Sequence, residues 1–382
     1  MAVKKESIQQ TIAGVWTAAG SVTVLLDRIG LVARYEAAFQ LTSGAPTTML
    51  GANQPDALWR PFRSLSWQAG GFTYMTMPDE EGGHGGTLLH HLNRLDGFGS
   101  GYVHQLVAAP SQVPYVPRLV FHAGVRPWKR NGDPNPFDLT AFIPAGIESS
   151  PQMVWLTTSN AVMDDTITIG SGTMFITAHR ILGTTADIME EMAKQGVNQI
   201  IEMIRQGHEG ILPDADITGL VPSWTGQVES PAATASNYGS EQDMQLGGFI
   251  KRVTYLAQDA TGTRPVRADD EITQLRLTIP EKGVTIVQMD AEQLSVRLAP
   301  GSFLVADEGL GLGVQAAPGG IYPLDLRPYG PTDVEQVLGL DTRGRQTGYA
   351  KLGRTLLTNT SGDDLLNLTE RILTYNGRLS NS

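Results

Sequence analysis

A strand–turn–strand pattern that occurs twice constrains this 382-residue chain more than any other feature. The first copy is Pro136 to Asn160, PFDLTAFIPAGIESSPQMVWLTTSN, and the second is Ile321 to Gly344, IYPLDLRPYGPTDVEQVLGLDTRG. Each opens on an alternating segment that predicts a strand: Phe137, Leu139 and Ala141 in one, Leu324, Leu326 and Pro328 in the other. A Pro/Gly turn follows, Ile143-Pro144-Ala145-Gly146 or Arg327-Pro328-Tyr329-Gly330, and then an acidic-polar bridge. A second short strand is predicted at Gln152–Leu156 and at Gln336–Leu340. The copies begin about 185 residues apart, roughly the size of one β domain. That period is too long for a solenoid unit, so it points to one β domain used twice.

Length agrees, since such a chain can bury large cores and should form about two domains. Charged residues are only 18%, while Gly reaches 43 and Pro 22, the balance of a turn-rich β chain rather than a helical one. Hydrophobic residues at 41% exclude a disordered chain. The formal net charge is −11, from 28 Lys and Arg against 39 Asp and Glu. Such a chain is a poor candidate for broad nucleic-acid contact, which depends on neutralising phosphates. There is no cysteine, which excludes disulfides, thiolate catalysis and zinc–thiolate sites. The apolar runs fall far short of the ~20 residues that cross a bilayer. Met1 to Gly14 carries two lysines but no signal-peptide core, so a soluble chain made in the cytosol is expected.

Taken in order, residues 1–20 read as an N-terminal arm or helix, with Ile8, Ile12, Val15 and Trp16 at helical spacing. Val22 to Leu41 reads as strand, broken at Asp27-Arg28 and Gly30. Several short strands follow up to residue 82. Residues 84–105, HGGTLLHHLNRLDGFGSGYVHQ, read as a long exposed loop with one helical turn around Leu88 to Leu95. Val113 to Val125 is β again, and Asp165 to Leu182 reads as a strand pair turning at Gly170-Ser171-Gly172. Thr184 to Gly207 predicts one long amphipathic helix. Thr184 with Asp187 caps it, and Met189, Met192, Ala193, Val197, Ile200, Ile201 and Ile204 form its apolar stripe. Leu212 to Gly248 is rich in Pro, Gly, Ser and Thr and reads as a connection. Strands resume at Phe249–Leu256, Ile272–Ile279, Val284–Met289, Leu294–Leu298 and Phe303–Ala306, then Arg354–Thr358 and Leu365–Leu373. The expected organisation is therefore an arm over 1–20, a first β domain over 21–212 closed by the helix at 184–207, a connection over 213–247 and a second β domain over 248–382.

Chemistry is sparse. Five of the seven histidines, His84, His90, His91, His104 and His122, fall close together and with Glu80, Glu81 and Asp96 could in principle hold a divalent metal. They do not follow the His-x-His spacing of the cupin metalloenzymes, and polar loop histidines are the simpler reading. GFGSG at Gly97–Gly101 and GLGLG at Gly309–Gly313 lack the strand-then-helix context of a dinucleotide site and the Lys-Ser/Thr of a phosphate loop. Ser171 has glycine on each side but no nucleophile-elbow motif. Asp164-Asp165, Asp269-Asp270 and Asp363-Asp364 mark turns, with structural calcium the minor alternative. No catalytic, cofactor-binding or metal residue is assigned, and no enzyme activity is expected.

The strand–turn–strand units at Phe137–Thr158 with Asp165–Leu182, and at Tyr322–Asp341 with Arg354–Leu373, give a chain that resembles the double jelly-roll major capsid proteins of the tectivirus–adenovirus lineage. The resemblance implies an all-β fold, two tandem jelly-roll sandwiches with one long helix after the first. It implies a coat protein that trimerises into pseudo-hexameric capsomers of an icosahedral virion. The partners would be neighbouring capsomers, penton and minor capsid proteins, and an internal membrane reached by the arm through Lys4-Lys5. Two rival readings remain. A tailed-phage coat would use the helix at Thr184–Gly207 as its spine. A β-sandwich receptor- or carbohydrate-binding module would stack sugars on Trp59, Trp128, Trp155 or Trp224 if they were exposed.

Overall fold

In the computed structural model of the chain the residues described are 3–13, 16–43, 60–96, 113–115, 118–124, 135–146, 149–159, 169–206, 217–229, 238–259, 266–268, 272–290, 320–356 and 364–377. They are mainly strand. The reason shows in β8 (Gln152–Thr157), where buried and half-buried side chains alternate at the period that turns one strand face to a core.

Three sheets result among the described residues. In the first, β1 (Lys4–Ala13) pairs with β9 (Ile169–Leu182) and β9 with β3 (Leu31–Ser43). Both β6 (Val113–Tyr115) and β7 (Arg118–His122) pair with β3. The second and longest sheet runs from β13 (Val266–Arg267) through β12 (Phe249–Asp259), β19 (Leu365–Tyr375), β10 (Gly219–Glu229), β5 (Phe72–Thr76), β4 (Phe62–Ala69) and β8 to β2 (Ser21–Leu25). Two further strands, β16 (Ile321–Asp325) and β17 (Leu340–Asp341), also pair with β12. The third sheet has the order β11 (Tyr238–Asp243), β18 (Lys351–Leu356), β14 (Ile272–Ile279), β15 (Val284–Asp290).

These sheets enclose two cores. The first sheet faces the β5–β4–β8–β2 half of the long sheet, and its centre is aromatic. Phe39 of β3 lies 3.9 Å from Phe62 of β4 and 4.9 Å from Trp155 of β8, ring centre to ring centre, and Phe121 of β7 lies 5.7 Å from Trp155. The third sheet faces the other half. There Leu275, Leu277, Val287 and Leu352 pack with Val253 and Tyr255 of β12 and Leu324 of β16. The long sheet is thus shared by two sandwiches.

What joins the halves is a parallel pairing of β5 with β10, Met75 opposite Trp224 and Thr76 opposite Thr225. One residue on, a Cβ at Gly226 would sit 2.1 Å from the backbone nitrogen of Pro78, so the approach requires glycine. On the far side of the junction β12 and β19 have two apolar faces. Val253, Tyr255 and Ala257 join the second core, whereas Leu256, Leu366, Leu368 and Ile372 join the first. A bulge between Ile250 and Arg252 sets this parity and places Arg252, Thr254 and Gln258 in step with Leu256.

Several expectations are corrected. Residues 4–13 are neither helix nor free arm, since β1 is bonded to β9 along its whole length, Lys4 opposite Leu182 to Ala13 opposite Thr173. The strand predicted at Phe137–Ala141 is a series of turns around buried Leu139 and Ala141, and only Ile143 makes a ladder contact, with Val32. In the second copy β16 forms, but Asp333–Leu338 is a helix, α4, because the Thr332 hydroxyl accepts from the Glu335 N–H and starts it. The hairpin expected at Gly170-Ser171-Gly172 is the interior of the continuous strand β9. The single helix at 184–207 is two, α2 (Thr185–Lys194) and α3 (Val197–Gln206). Between them Gly196 adopts φ +72°, and Gln195 bonds the Leu139 N–H and the Phe137 carbonyl. The connection over 213–247 contains β10 and β11. The strands expected at Leu294–Leu298 and Phe303–Ala306 lie outside the described residues.

Candidate functional site: the buried seam

Where an exposed loop was expected, His84–Leu95 forms the helix α1, and every residue from His84 to Asn93 is buried. Its polar Thr87, His90, His91 and Asn93 are buried along with Leu88, Leu89 and Leu92, so the residues that read as a polar exposed loop are enclosed by the fold. It packs on β4 and β7. Its first turn is pressed close, because a Cβ at Gly85 would fall 2.2 Å from the Arg63 carbonyl.

Both ends of α1 are tied to the second sandwich. Before its N-terminus, the buried Glu80 carboxylate accepts from the Gly82 N–H and meets Gln258 of β12. Burial pushes its carboxyl up, against the opposing pull of the Gly82 and His84 N–H groups, Gln258 and Arg60. Just past the C-terminus, Asp96 receives a two-pronged contact from Arg252, 3.0 Å to each oxygen. Arg252 also donates to both oxygens of Glu370 on β19, one at 3.0 Å. Lys251 completes the group at 3.5 Å from Asp96 and 3.7 Å from Glu370.

The quartet is mostly shielded: side-chain exposure is 1% for Glu370, 4% for Arg252 and 9% for Lys251, and Asp96 at 23% forms its edge toward solvent. Burial alone would raise the Asp96 carboxyl, but Arg252 and Lys251 override it and hold it far below the usual carboxylate range. Burial likewise opposes the Arg252 charge, and Asp96 and Glu370 reverse that, so the guanidinium stays charged at any working pH. Two cations and two anions close on one another, which is the condition under which buried charge is tolerated.

The histidines do not meet as a site. Arg60 donates to His84 Nε2 at 2.9 Å. His90 and His91 are buried neighbours with ring centres 5.1 Å apart. His122 stands on β7, Glu81 is exposed, and His104 is outside the described residues. Among the described residues no three His, Asp or Glu side chains form a metal-holding group. Gly97–Gly101, Gly309–Gly313, Asp164-Asp165, Asp269-Asp270, Asp363, Trp59 and Trp128 also lie outside. Trp155 and Trp224 are 1% and 7% exposed and are core, not sugar platforms. Glu80 and Asp96 were named from the sequence, but Gln258, which meets Glu80, and Arg252, Lys251 and Glu370, which complete the group at Asp96, were not. The one available signal was Lys251-Arg252 inside an otherwise apolar strand, since interior charges demand partners.

The fold of the chain is found in known structures. The MCP of STIV, the Sulfolobus turreted icosahedral virus, superposes with a TM-score of 0.67 over 98% of both chains at 16% identity. This chain has the double jelly-roll fold. The major capsid protein of bacteriophage PM2 shares it at TM-score 0.53, covering 97% of this chain and 98% of that one at 10% identity. The PBCV-1 virus capsid protein does so at 0.54, covering 97% and 93% at 11% identity. No protein-family profile and no curated protein sequence matches the chain. The double jelly roll is therefore visible in three dimensions at identities too low for sequence comparison.

Proposed function

We propose that the chain is the major coat protein of an icosahedral virus and has no enzymatic role. The observation that carries this reading is the end-to-end superposition, 98% of each chain, on the STIV MCP. Three copies would form a capsomer of hexagonal outline, with neighbouring capsomers, penton and minor capsid proteins as partners in the virion shell. Self-association has a surface to use. Leu25, Gln152, Gln68 and Thr73 lie in one row across the sheet at one end of the first sandwich. Leu25 is 69% exposed there, and Phe72 at the neighbouring turn is 49% exposed. These uncharged groups suit contact between copies that each carry −11. Lys4 and Lys5 pair with Glu6 and Glu191 on and beside β1, so membrane contact through residues 1–20 is not part of the proposal.

The tailed-phage reading fails on its spine, which is broken at Gly196, and on the fold itself. Size-exclusion chromatography with light scattering, followed by negative-stain imaging, tests the coat reading. Trimers of hexagonal outline or closed shells are expected. A stable monomer of 41.1 kDa at all concentrations would overturn it.

A further inference from the structure

We propose that Arg371, with Ser223 and Thr225, receives a carboxylate carried by a second copy of this chain. The site deepens the coat reading and rests on it, because the carboxylate comes from a neighbouring subunit. Arg371 stands on β19 directly opposite Ile250 of β12 and Ser223 of β10. Its side chain therefore leaves the long sheet on the face that bears the second core, to which Ile250 belongs. Arg371 is half-buried and bonds only neutral oxygens. One Nη donates to the Leu246 carbonyl at 3.0 Å, and the other donates to Ser223 Oγ at 3.2 Å and Thr225 Oγ1 at 3.4 Å. Its Nε is buried without an acceptor.

Other shielded arginines of the chain are placed differently. Arg34 holds Glu36, Arg252 holds Asp96 and Glu370, Arg327 holds Asp325, Arg343 holds Asp341 and Arg354 holds Glu229. Arg371 has no carboxylate among the described residues. Burial pushes its guanidinium below the ordinary arginine value, and no anion opposes that. A charge drawn out of water without a counter-ion is costly, and an anion from outside the chain relieves the cost. The hydroxyls point the same way. A hydroxyl that accepts from arginine keeps its own proton to donate, and neither Ser223 nor Thr225 meets an acceptor for it among the described residues. A guanidinium and two hydroxyl donors thus converge with no anion between them, a donor set suited to a carboxylate.

The approach to the site is a strip of open sheet. Thr369, Thr225, Thr76, Ser66, Val154 and Thr23 form one unbroken row across β19, β10, β5, β4, β8 and β2. Thr369 is buried opposite Val253 of the second core, the next four are half-buried, and Thr23 is exposed. The row holds no charge, so a segment of another subunit can lie along it and set one acidic side chain against Arg371. Each copy has 39 Asp and Glu against 28 Lys and Arg, so it brings spare carboxylates to any contact and repels its neighbour. An uncompensated cation inside the contact offsets that repulsion at short range.

Two measurements on the full chain test the site. Light scattering compares self-association of the native chain with that of Arg371→Gln, once urea unfolding has shown the variant to be folded. Thr225→Val, which keeps the arginine and removes one donor, serves if Arg371→Gln does not fold. Loss of the guanidinium should weaken association about tenfold or more, as at other shielded charge pairs between proteins, and Thr225→Val should weaken it less. In the second measurement Arg371→Lys is prepared with and without an isotope label, and the two are mixed and treated with a carbodiimide. This reagent joins an ammonium to a carboxylate beside it as an amide, with loss of water. Mass spectrometry should find position 371 joined to an Asp or Glu of the other isotope. A native chain that stays monomeric overturns the coat reading and the site with it. Where the native chain associates, equal association of Arg371→Gln, or links from position 371 confined to one copy, overturns the site alone.

Discussion

The aromatic core of the first sandwich and the seam both lie mostly out of solvent, yet they are held by opposite physics. In the core, Phe39, Phe62, Phe121 and Trp155 meet edge to face or tilted, and each contact is weak, non-directional and replaceable by neighbours. At the seam, Asp96, Arg252, Glu370 and Lys251 satisfy one another through directed contacts that nothing else nearby can supply. A core of the first kind degrades gradually as atoms are removed. A closed set of charges fails as a unit, because loss of one member strands another in a medium that cannot solvate it.

The core side of that contrast is tested by Trp155→Ala. It should cost about 4–5 kcal/mol in urea unfolding, and Trp155→Phe clearly less, as a partly filled cavity requires. Next comes Arg252→Met, which leaves Asp96 and Glu370 facing only Lys251 and should cost about 3–4 kcal/mol. Arg252→Lys should recover little of it, since an ammonium cannot make the two-pronged contact. If Arg252→Lys behaved like the native chain, the distinction between core and seam would collapse. Gly226→Ala, at the β5–β10 junction, should cost about 2 kcal/mol by pushing the two strands apart. The smallest effect is expected from Glu80→Gln. Because burial raises the Glu80 carboxyl, its contribution is present below the ordinary carboxylate value and fades as pH rises. The amide should therefore be neutral or stabilising by about 1 kcal/mol at pH 7 and flatten this part of the pH profile, read as the urea midpoint against pH.

The same contrast explains what the amino-acid sequence made legible. Strands with one face on a core announced themselves by alternation, so Ile272–Ile279 was bounded to the residue and Leu365–Tyr375 to within two. The mainly β class also followed from pattern and composition, and the two sandwiches from the resemblance, although the two copies of the strand–turn–strand pattern fold differently. Elements whose surroundings are buried on every side did not announce themselves. The enclosed α1 read as a loop, and β10, Gly219–Glu229, read as a connection because Gly219, Pro222, Ser223 and Gly226 look like turn residues until close packing explains them. The break at Gly196 was hidden because the apolar stripe continues beyond it through Val197, Ile200, Ile201 and Ile204. The seam was hidden for a different reason. Asp96 and Arg252 are 156 residues apart and Arg252 and Glu370 are 118 apart, and no local period links them.

The shared sheet also governs how the chain must be made. β10 lies between β5, which precedes it in the chain, and β19, which is synthesised long after it. Trp224 pairs with Glu370, so at ordinary elongation rates β10 waits roughly 10–30 s with one side uncovered. An open edge held that long in a crowded polysome is an invitation to pair with the wrong copy. The order of synthesis therefore makes β19 the last of the described strands to close the two sandwiches. A chain cut short before Leu365 lacks that closure and should be lost as aggregate.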